Sequence, residues 1–295
     1  MISVVIPACN EHLAIAGTVQ KIRAILDDAL LNDAEILVVD DGSTDGTAGL
    51  ARQAGAEVIS NPHNVGYGHS LKKGIGKARF DTIVITDADG TYPISEIPRL
   101  IQIYRQGFDM VVGARSGSHY RGSPLKWPMR LLLRFLVEWT AGRRIPDINS
   151  GFRVFSRASA MSYFGQLCDG FSFTTSLTLA YMMTSKYVTY TSIQYAERIG
   201  TSKVRLWRDS LRTLQFIVQA IVYYNPLKIF LLMSVGCIII SFISVGIGIS
   251  FHLATGFMMG TGALLVAILV FALGLLADLL RQILSKVPEK VMVHT

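Results

Sequence analysis

The chain is poor in cysteine: Cys9, Cys168 and Cys237 are the only three in 295 residues, scattered and odd in number. That pattern excludes a disulfide framework and a zinc knuckle, and leaves each thiol as a small apolar filler. Internal repeats and low-complexity tracts are also missing, which excludes solenoid architectures. No secretory leader is visible. Met1 runs directly into Ile2-Ser3-Val4-Val5-Ile6, too short for a leader core and without a basic start, so the N-terminal domain is expected to stay in the cytoplasm. Charge is missing from one long region: between Leu227 and Ala277, Lys228 is the only Asp, Glu, Lys or Arg.

What is present divides along the chain. Hydrophobic residues make up 51% and the mean hydropathy is +0.41, high for a wholly soluble protein, with the excess collected after Leu227. The first two-thirds alternates like an ordinary globular domain. A chain of 295 residues holds one sizeable domain with an appendage, or two small domains. The formal net charge of +7 and pI near 9.4 suggest an anionic partner. Several basic residues lie just before the apolar tail, which favours a membrane surface over nucleic acid.

Val- and Ile-rich segments at 2–7, 35–40, 56–60, 82–86 and 109–113 read as strands, and helical patterns fill 12–29, 44–54, 69–79 and 94–106. Ile15, Val19, Ile22 and Ile25 share one helix face. This alternation implies an α/β domain with a mostly parallel sheet, helices on both faces, and a site beyond the C-terminal strand ends. Asn10-Glu11, Asp40-Asp41 and Asp87–Asp89 all fall on that rim. Residues 115–124 suggest a mobile loop, 125–141 a basic and aromatic helix, and 150–192 a further helix–strand excursion. Val204–Tyr224 sets Arg205, Arg208 and Arg212 against Leu206, Leu211, Leu214, Phe216 and Ile217, a basic amphipathic helix able to lie among lipid headgroups. The runs Leu227–Phe251 and Leu253–Ala277 can each span a bilayer core needing about 20 helical residues. An uncharged turn, His252 through Thr261, is expected between them. Arg205, Arg208, Arg212 and Lys228 precede the pair and Arg281, Lys286 and Lys290 follow it, so both ends are expected on the cytoplasmic side.

The strand Thr82–Thr86 ends in Asp87-Ala88-Asp89, whose alternate side chains share one side of an extended backbone. Two carboxylates so close repel unless a cation joins them, and Mg²⁺ or Mn²⁺ fits because both take oxygen ligands and substrate phosphates. Asp40-Asp41-Gly42-Ser43 follows another strand. One of these residues can be a helix cap, while Asp40 can accept hydrogen bonds from a base or ribose. Asn64-Val65-Gly66-Tyr67-Gly68 fits close backbone approach to a ligand and plain turn chemistry equally well. Asp147-Ile148-Asn149-Ser150-Gly151-Phe152-Arg153 is a further polar cluster. Arg115, Arg121 and Arg198-Ile199-Gly200-Thr201-Ser202-Lys203 add groups able to clamp phosphates.

Pro7-Ala8-Cys9-Asn10-Glu11, Val38-Val39-Asp40-Asp41-Gly42-Ser43-Thr44-Asp45, Asp87-Ala88-Asp89 and Ser150-Gly151-Phe152-Arg153 together resemble family 2 glycosyltransferases of the GT-A fold. With Arg198–Lys203 and the apolar tail, the resemblance narrows to polyprenyl-phosphate glycosyltransferases of the dolichol-phosphate mannose synthase type. It implies a GDP- or UDP-sugar donor, Mg²⁺ or Mn²⁺, and a dolichyl or undecaprenyl phosphate acceptor. Pro7, Ala8, Asn10, Glu11, Asp40, Asp41 and Ala88 would line the nucleotide pocket. Asp87 would lie beside the diphosphate and Asp89 would bind the metal, with Asp87 as its neighbour. Where some relatives place a Gln two residues after the second Asp, this chain has Thr91. Arg115, Arg121, Ser150, Arg153, Arg198, Ser202 and Lys203 would contact donor or acceptor phosphates, and Asp147 would position groups near the acceptor. Asp87, Asp89, Asp147 and Arg115 are therefore the catalytic candidates.

A phosphate monoester has a second pKa near ~6, so the lipid phosphate needs no strong base to act as nucleophile. A single displacement with inversion is expected. The expected layout is a catalytic domain over 1–203, an interface helix over 204–225, a transmembrane hairpin over 226–285 and a short cytoplasmic tail over 286–295. That describes a multi-pass inner-membrane enzyme, compatible with a homo-oligomer and without a nucleic-acid partner. Two rivals are a processive polysaccharide synthase, whose Gln-x-x-Arg-Trp signature is absent here, and an inactive nucleotide-sugar sensor or scaffold, against which intact Asp87 and Asp89 argue.

Overall fold

The computed structural model describes residues 1–29, 33–117, 127–197 and 206–284. The chain forms two compact units that divide between Ile217 and Val218. In the first, the β-branched runs become β1 (Ile2–Ala8), β2 (Ala34–Asp40), β3 (Glu57–Ser60), β4 (Thr82–Ile85), β5 (Met110–Ser116), β6 (Arg153–Ser156) and β7 (Val188–Gln194). They make one seven-stranded sheet in the order β3-β2-β1-β4-β6-β5-β7. Every neighbouring pair is parallel except those of β6, which runs antiparallel to both β4 and β5. The polar cluster before β6 is thereby carried to the same rim as the ends of β1, β2 and β4.

Helices α1 (Ile15–Asp28), α2 (Thr47–Gln53), α3 (Tyr67–Lys77), α4 (Ile97–Tyr104), α5 (Trp127–Ala141), α6 (Arg157–Met161) and α7 (Phe173–Met183) connect the strands. Consecutive β1 residues Val4, Val5 and Ile6 are all fully buried, as a strand covered on both faces must be. Ile15, Val19, Ile22 and Leu26 form the buried face of α1. Helix α3 lies directly on β1 and β2, since a Cβ at Gly74 would stand 2.5 Å from Val5 Cγ1 and 2.8 Å from Val39 Cγ2. The helix expected over 94–106 instead opens with a 3₁₀ turn, Ile94–Glu96. The α-helix follows with Pro98 in its first turn, where a missing N–H costs little. β5 runs past residue 113 because its end pairs with β7, Arg115 opposite Ile193 and Ser116 opposite Gln194.

Helix α8 (Leu206–Tyr224) crosses the division between units. Its Thr213 Oγ1 lies 2.8 Å from Ser172 Oγ, and Ile217 is buried. The second unit holds α9 (Pro226–Phe251) and α10 (Ala254–Leu284), an antiparallel pair. The turn expected over His252–Thr261 is confined to His252 and Leu253, with His252 in the left-handed region at φ +53°. Gly256 and Gly260 lie within α10, at points where it approaches α9 closely. A Cβ on Gly256 would meet Gly248 Cα at 2.6 Å, and one on Gly260 would meet Val245 Cγ2 at 2.4 Å. Ser234 Oγ donates to Ala267 O (3.0 Å) and Ser241 Oγ to Gly260 O (2.7 Å) across the same seam. Both helices are long and apolar enough to cross a membrane, with mean hydropathies of 2.5 and 2.7. Lys286, Lys290 and the expected tail lie outside the described residues.

Candidate active site

The loops after β1 and β2 are zipped together. Asn10 adopts φ +50°, which a short amide tolerates. Its N–H donates to Ser43 Oγ (2.8 Å) and its Oδ1 accepts from the Thr44 N–H (2.8 Å). The Glu11 N–H donates to Thr47 Oγ1 (2.8 Å), and His12 Nδ1 lies 2.7 Å from Asp45 Oδ2. Burial opposes the charge of Asp45, but hydrogen bonds from Thr47 and His12 outweigh it and hold the carboxyl below the usual range. Pro7 and Ala8 end β1 opposite Val39 and Asp40. Asp40, 4% exposed, accepts from the Ser43 N–H at 3.3 Å.

Asp41, expected beside the nucleotide, turns the other way. Its Oδ1 accepts from Asn61 Nδ2 (2.9 Å) and the Val65 N–H (3.0 Å), and its Oδ2 from the Gly66 N–H (3.0 Å). It organises the glycine-rich stretch, whose two open readings now separate. Gly66 sits at φ +116°, and a Cβ there would stand 2.7 Å from Asp169 O. A Cβ on Gly68 would stand 2.2 Å from Cys168 O. The glycines admit a neighbouring stretch of this chain's own backbone.

Asp87 and Asp89 follow β4 at the same rim. Asp89 is 4% exposed, and its Oδ1 accepts from the Thr91 N–H (3.1 Å) and Thr91 Oγ1 (2.6 Å). Thr91 thus orients the second carboxylate by a side-chain turn. Ala88 is buried, and its carbonyl accepts from Thr18 Oγ1 (3.1 Å). Asp87 Oδ1 accepts from Tyr67 Oη at 3.0 Å. Burial first, and then the charge of Asp87, push the Tyr67 phenol well above its ordinary pKa, so it remains a donor.

The third cluster packs against the second. Arg115 donates through Nε to Asp147 Oδ2 (2.7 Å) and through Nη2 to Oδ1 (2.9 Å), a bidentate pair with Asp147 2% exposed. Burial acts to raise the Asp147 pKa, but its bonds with Arg115 outweigh that and lower it. The Arg115 guanidinium also lies 5.4 Å from the Tyr195 ring centroid. Ser150 and Arg153, expected on phosphates, are buried within the scaffold. Ser150 Oγ donates to Gly113 O (2.6 Å). Arg153, fully buried, donates to Ser150 O (2.7 Å), Ile148 O (2.9 Å) and Thr178 Oγ1 (2.7 Å). Three acceptors replace its hydration, so this guanidinium braces the loop before β6 and is not presented to a ligand. Arg121, Arg198, Ser202 and Lys203 lie outside the described residues. Shortly before the last three, the Ala196 N–H donates to Thr91 O at 2.9 Å.

Tyr67, Thr91, Tyr92 and Tyr195 join the site with no role assigned from sequence. Tyr92 Oη accepts from the Gly151 N–H (2.7 Å), and its ring stacks on Phe152 at 5.5 Å and meets Tyr195 edge-on at 5.4 Å. The Asp-x-Thr spacing was a usable signal for Thr91. Nothing local marks Tyr195, which only β5–β7 pairing brings to Arg115. Among the described residues, no three His, Cys, Asp or Glu side chains converge as a metal cluster.

The glycosyl transferase family 2 model matches residues 3–164, the span from β1 through the Asp87–Asp89 turn to β6. A Haloferax volcanii protein named as a low-salt glycan biosynthesis hexosyltransferase is 33% identical over 224 residues, covering 74% of this chain and 53% of its own length. A Pseudomonas fluorescens undecaprenyl-phosphate 4-deoxy-4-formamido-L-arabinose transferase is 31% identical over 163 residues, 53% of this chain and 47% of that protein. The chain spans about half the length of the curated relatives it matches. Among solved structures, Mycobacterium tuberculosis glucosyl-3-phosphoglycerate synthase, crystallised with Mn²⁺, uridine diphosphate and glucosyl-3-phosphoglycerate, superposes with a TM-score of 0.61 at 21% identity, covering 75% of this chain and 79% of that one. Sheet order, acidic rim and a sequence match over more than half of its residues agree: the chain belongs to glycosyl transferase family 2.

Proposed function

We propose that this chain transfers a hexose from a GDP- or UDP-sugar to a polyprenyl phosphate and releases the nucleoside diphosphate. The observation that carries this reading is the pairing, in one family 2 chain, of the Asp40, Asp87 and Asp89 rim with two long apolar helices whose large side chains face outward. The named activities of the bacterial and archaeal relatives support it.

The donor set suits a hard divalent cation. Asp87 and Asp89 supply only oxygens, and Mg²⁺ or Mn²⁺ is commonly held by one or two carboxylates together with substrate phosphates. Asp89, oriented by Thr91, and Asp87, held by Tyr67, would bind it. When bound, the cation neutralises charge developing on the departing diphosphate. Asp40 binds the nucleoside. Arg198, Ser202 and Lys203 supply the cationic and hydroxyl groups for the acceptor phosphate. That phosphate is already anionic at neutral pH, so no residue need remove a proton from it. Asp147, tied bidentately to Arg115, holds that guanidinium in place and is not the base. One phosphate oxygen bonds to the anomeric carbon as the bond to the diphosphate breaks, the electron pair leaves with the nucleotide, and configuration inverts. The basic residues that flank the hairpin in sequence support a cytoplasmic side for the catalytic unit and both hairpin ends.

The test incubates the full chain with a panel of GDP- and UDP-sugars, undecaprenyl or dolichyl phosphate, and Mg²⁺ or Mn²⁺. Nucleoside diphosphate should appear only when donor, lipid phosphate and cation are all present. Asp89→Ala should lower turnover about 10³-fold with its melting transition unchanged. Unchanged turnover in Asp89→Ala would remove the site assignment, and a trapped glycosyl-enzyme would remove the single displacement.

A further inference from the structure

Tyr67 lies where three parts of the pocket meet. Its hydroxyl donates to Asp87 Oδ1 at 3.0 Å. Its ring is backed by Phe171, stacked at 5.9 Å between centroids with 17° between planes. The residues just before it are fixed by Asp41, whose carboxylate takes the N–H groups of Val65 and Gly66, both at 3.0 Å. The remaining side is closed by Gly151, where a Cβ would stand 2.8 Å from Tyr67 Oη and 2.9 Å from Asp87 Oδ1. The phenol and the carboxylate therefore meet in a space that only a glycine leaves open. Asp40-Asp41 and Asp87 stand at the ends of different strands, β2 and β4, with β1 between them. The path from Asp41 through the 65–66 backbone to Tyr67 bridges that gap.

We propose that Tyr67 is a positioning residue for Asp87, coupling the nucleoside end of the donor pocket to the carboxylate that faces the diphosphate and its cation. This deepens the function proposed above and rests on it. A carboxylate that must serve a cation in one orientation loses affinity when it rotates freely. A hydrogen bond from a stacked phenol fixes which oxygen is turned away. The route through Asp41 accounts for a second acid beside Asp40 that does not itself face the nucleotide.

The test is calorimetric titration of the full chain with UDP and GDP, with and without Mn²⁺. Tyr67→Phe keeps the stacked ring and removes only the hydroxyl. It should weaken nucleoside diphosphate binding about tenfold with Mn²⁺ and leave binding without Mn²⁺, and the melting transition, unchanged. Asp41→Asn, which loosens the same loop, should shift the Mn²⁺-dependent affinity in the same direction. Equal affinities of wild type and Tyr67→Phe with Mn²⁺ would overturn the proposal, as would equal losses with and without it, which mark a packing role alone. If the wild type bound neither nucleotide with Mn²⁺, the functional reading would fall first and this one with it.

Discussion

In the sheet unit, Val4, Ile6, Val38 and Val84 are fully buried and the carboxylates gather at one rim. In the hairpin the order reverses. Ser234, Ser241 and Gly248 are buried between the helices, while Ile240, Phe242, Leu265 and Ile268 face outward. The first pattern is what water imposes, since apolar area withdraws from it. The second suits a surround as apolar as the side chains, where helices meet through small residues and hydroxyl bonds. Polar groups accordingly do different work in the two regions. At the rim they orient one another, as Thr91 orients Asp89 and Arg115 fixes Asp147. Along the hairpin seam Ser234 and Ser241, both on α9, donate to backbone carbonyls of α10.

The comparison breaks most visibly at the buried ion pair. Asp147→Asn leaves the Arg115 guanidinium without its bidentate partner and should cost about 3 kcal/mol, read as a lowered melting transition. The same variant tests pH dependence. The folded pKa of Asp147 lies below its ordinary 3.8, so its contribution is fully present above that value and is lost as pH falls through the folded pKa. Acid sensitivity should therefore flatten in Asp147→Asn relative to wild type, with no change in slope near neutrality. In the hairpin, Gly260→Leu places side-chain atoms where Val245 Cγ2 lies 2.4 Å from a bare Cβ, and should destabilise detergent-solubilised protein by about 1–3 kcal/mol. Tolerance at Gly260 would show that the seam is loosely packed. The smallest effect belongs to the outward face: Ile268→Leu should stay within about 0.5 kcal/mol by the same assay. A large loss there would mean that the face is covered by protein and not by lipid.

Much of this was legible locally. The Val/Ile runs mark the strands because a strand covered on both faces must be apolar throughout, and Asp87-Ala88-Asp89 stands out because an apolar run ends in paired acids. Ser150 and Arg153 misled because a motif shows that residues matter without showing which way they point. The antiparallel entry of β6 turns Arg153 into the interior, onto Thr178 and the 148–150 carbonyls. Asp41 misled for a related reason: adjacent residues at a strand end face opposite ways, so one acid reaches the rim and the other the 61–66 loop.

By itself, then, the sequence determined the alternation of strands and helices, the acidic rim and the two apolar spans, since each follows from the local periodicity of hydrophobic and charged residues. Tertiary structure alone decided which polar groups partner one another: Arg115 with Asp147 and Tyr195, Tyr67 with Asp87, Arg153 with the loop before β6. Those pairings join residues far apart in the chain, and a hydrogen bond depends on ångström-scale distance and direction that only the packed sheet and its crossovers set.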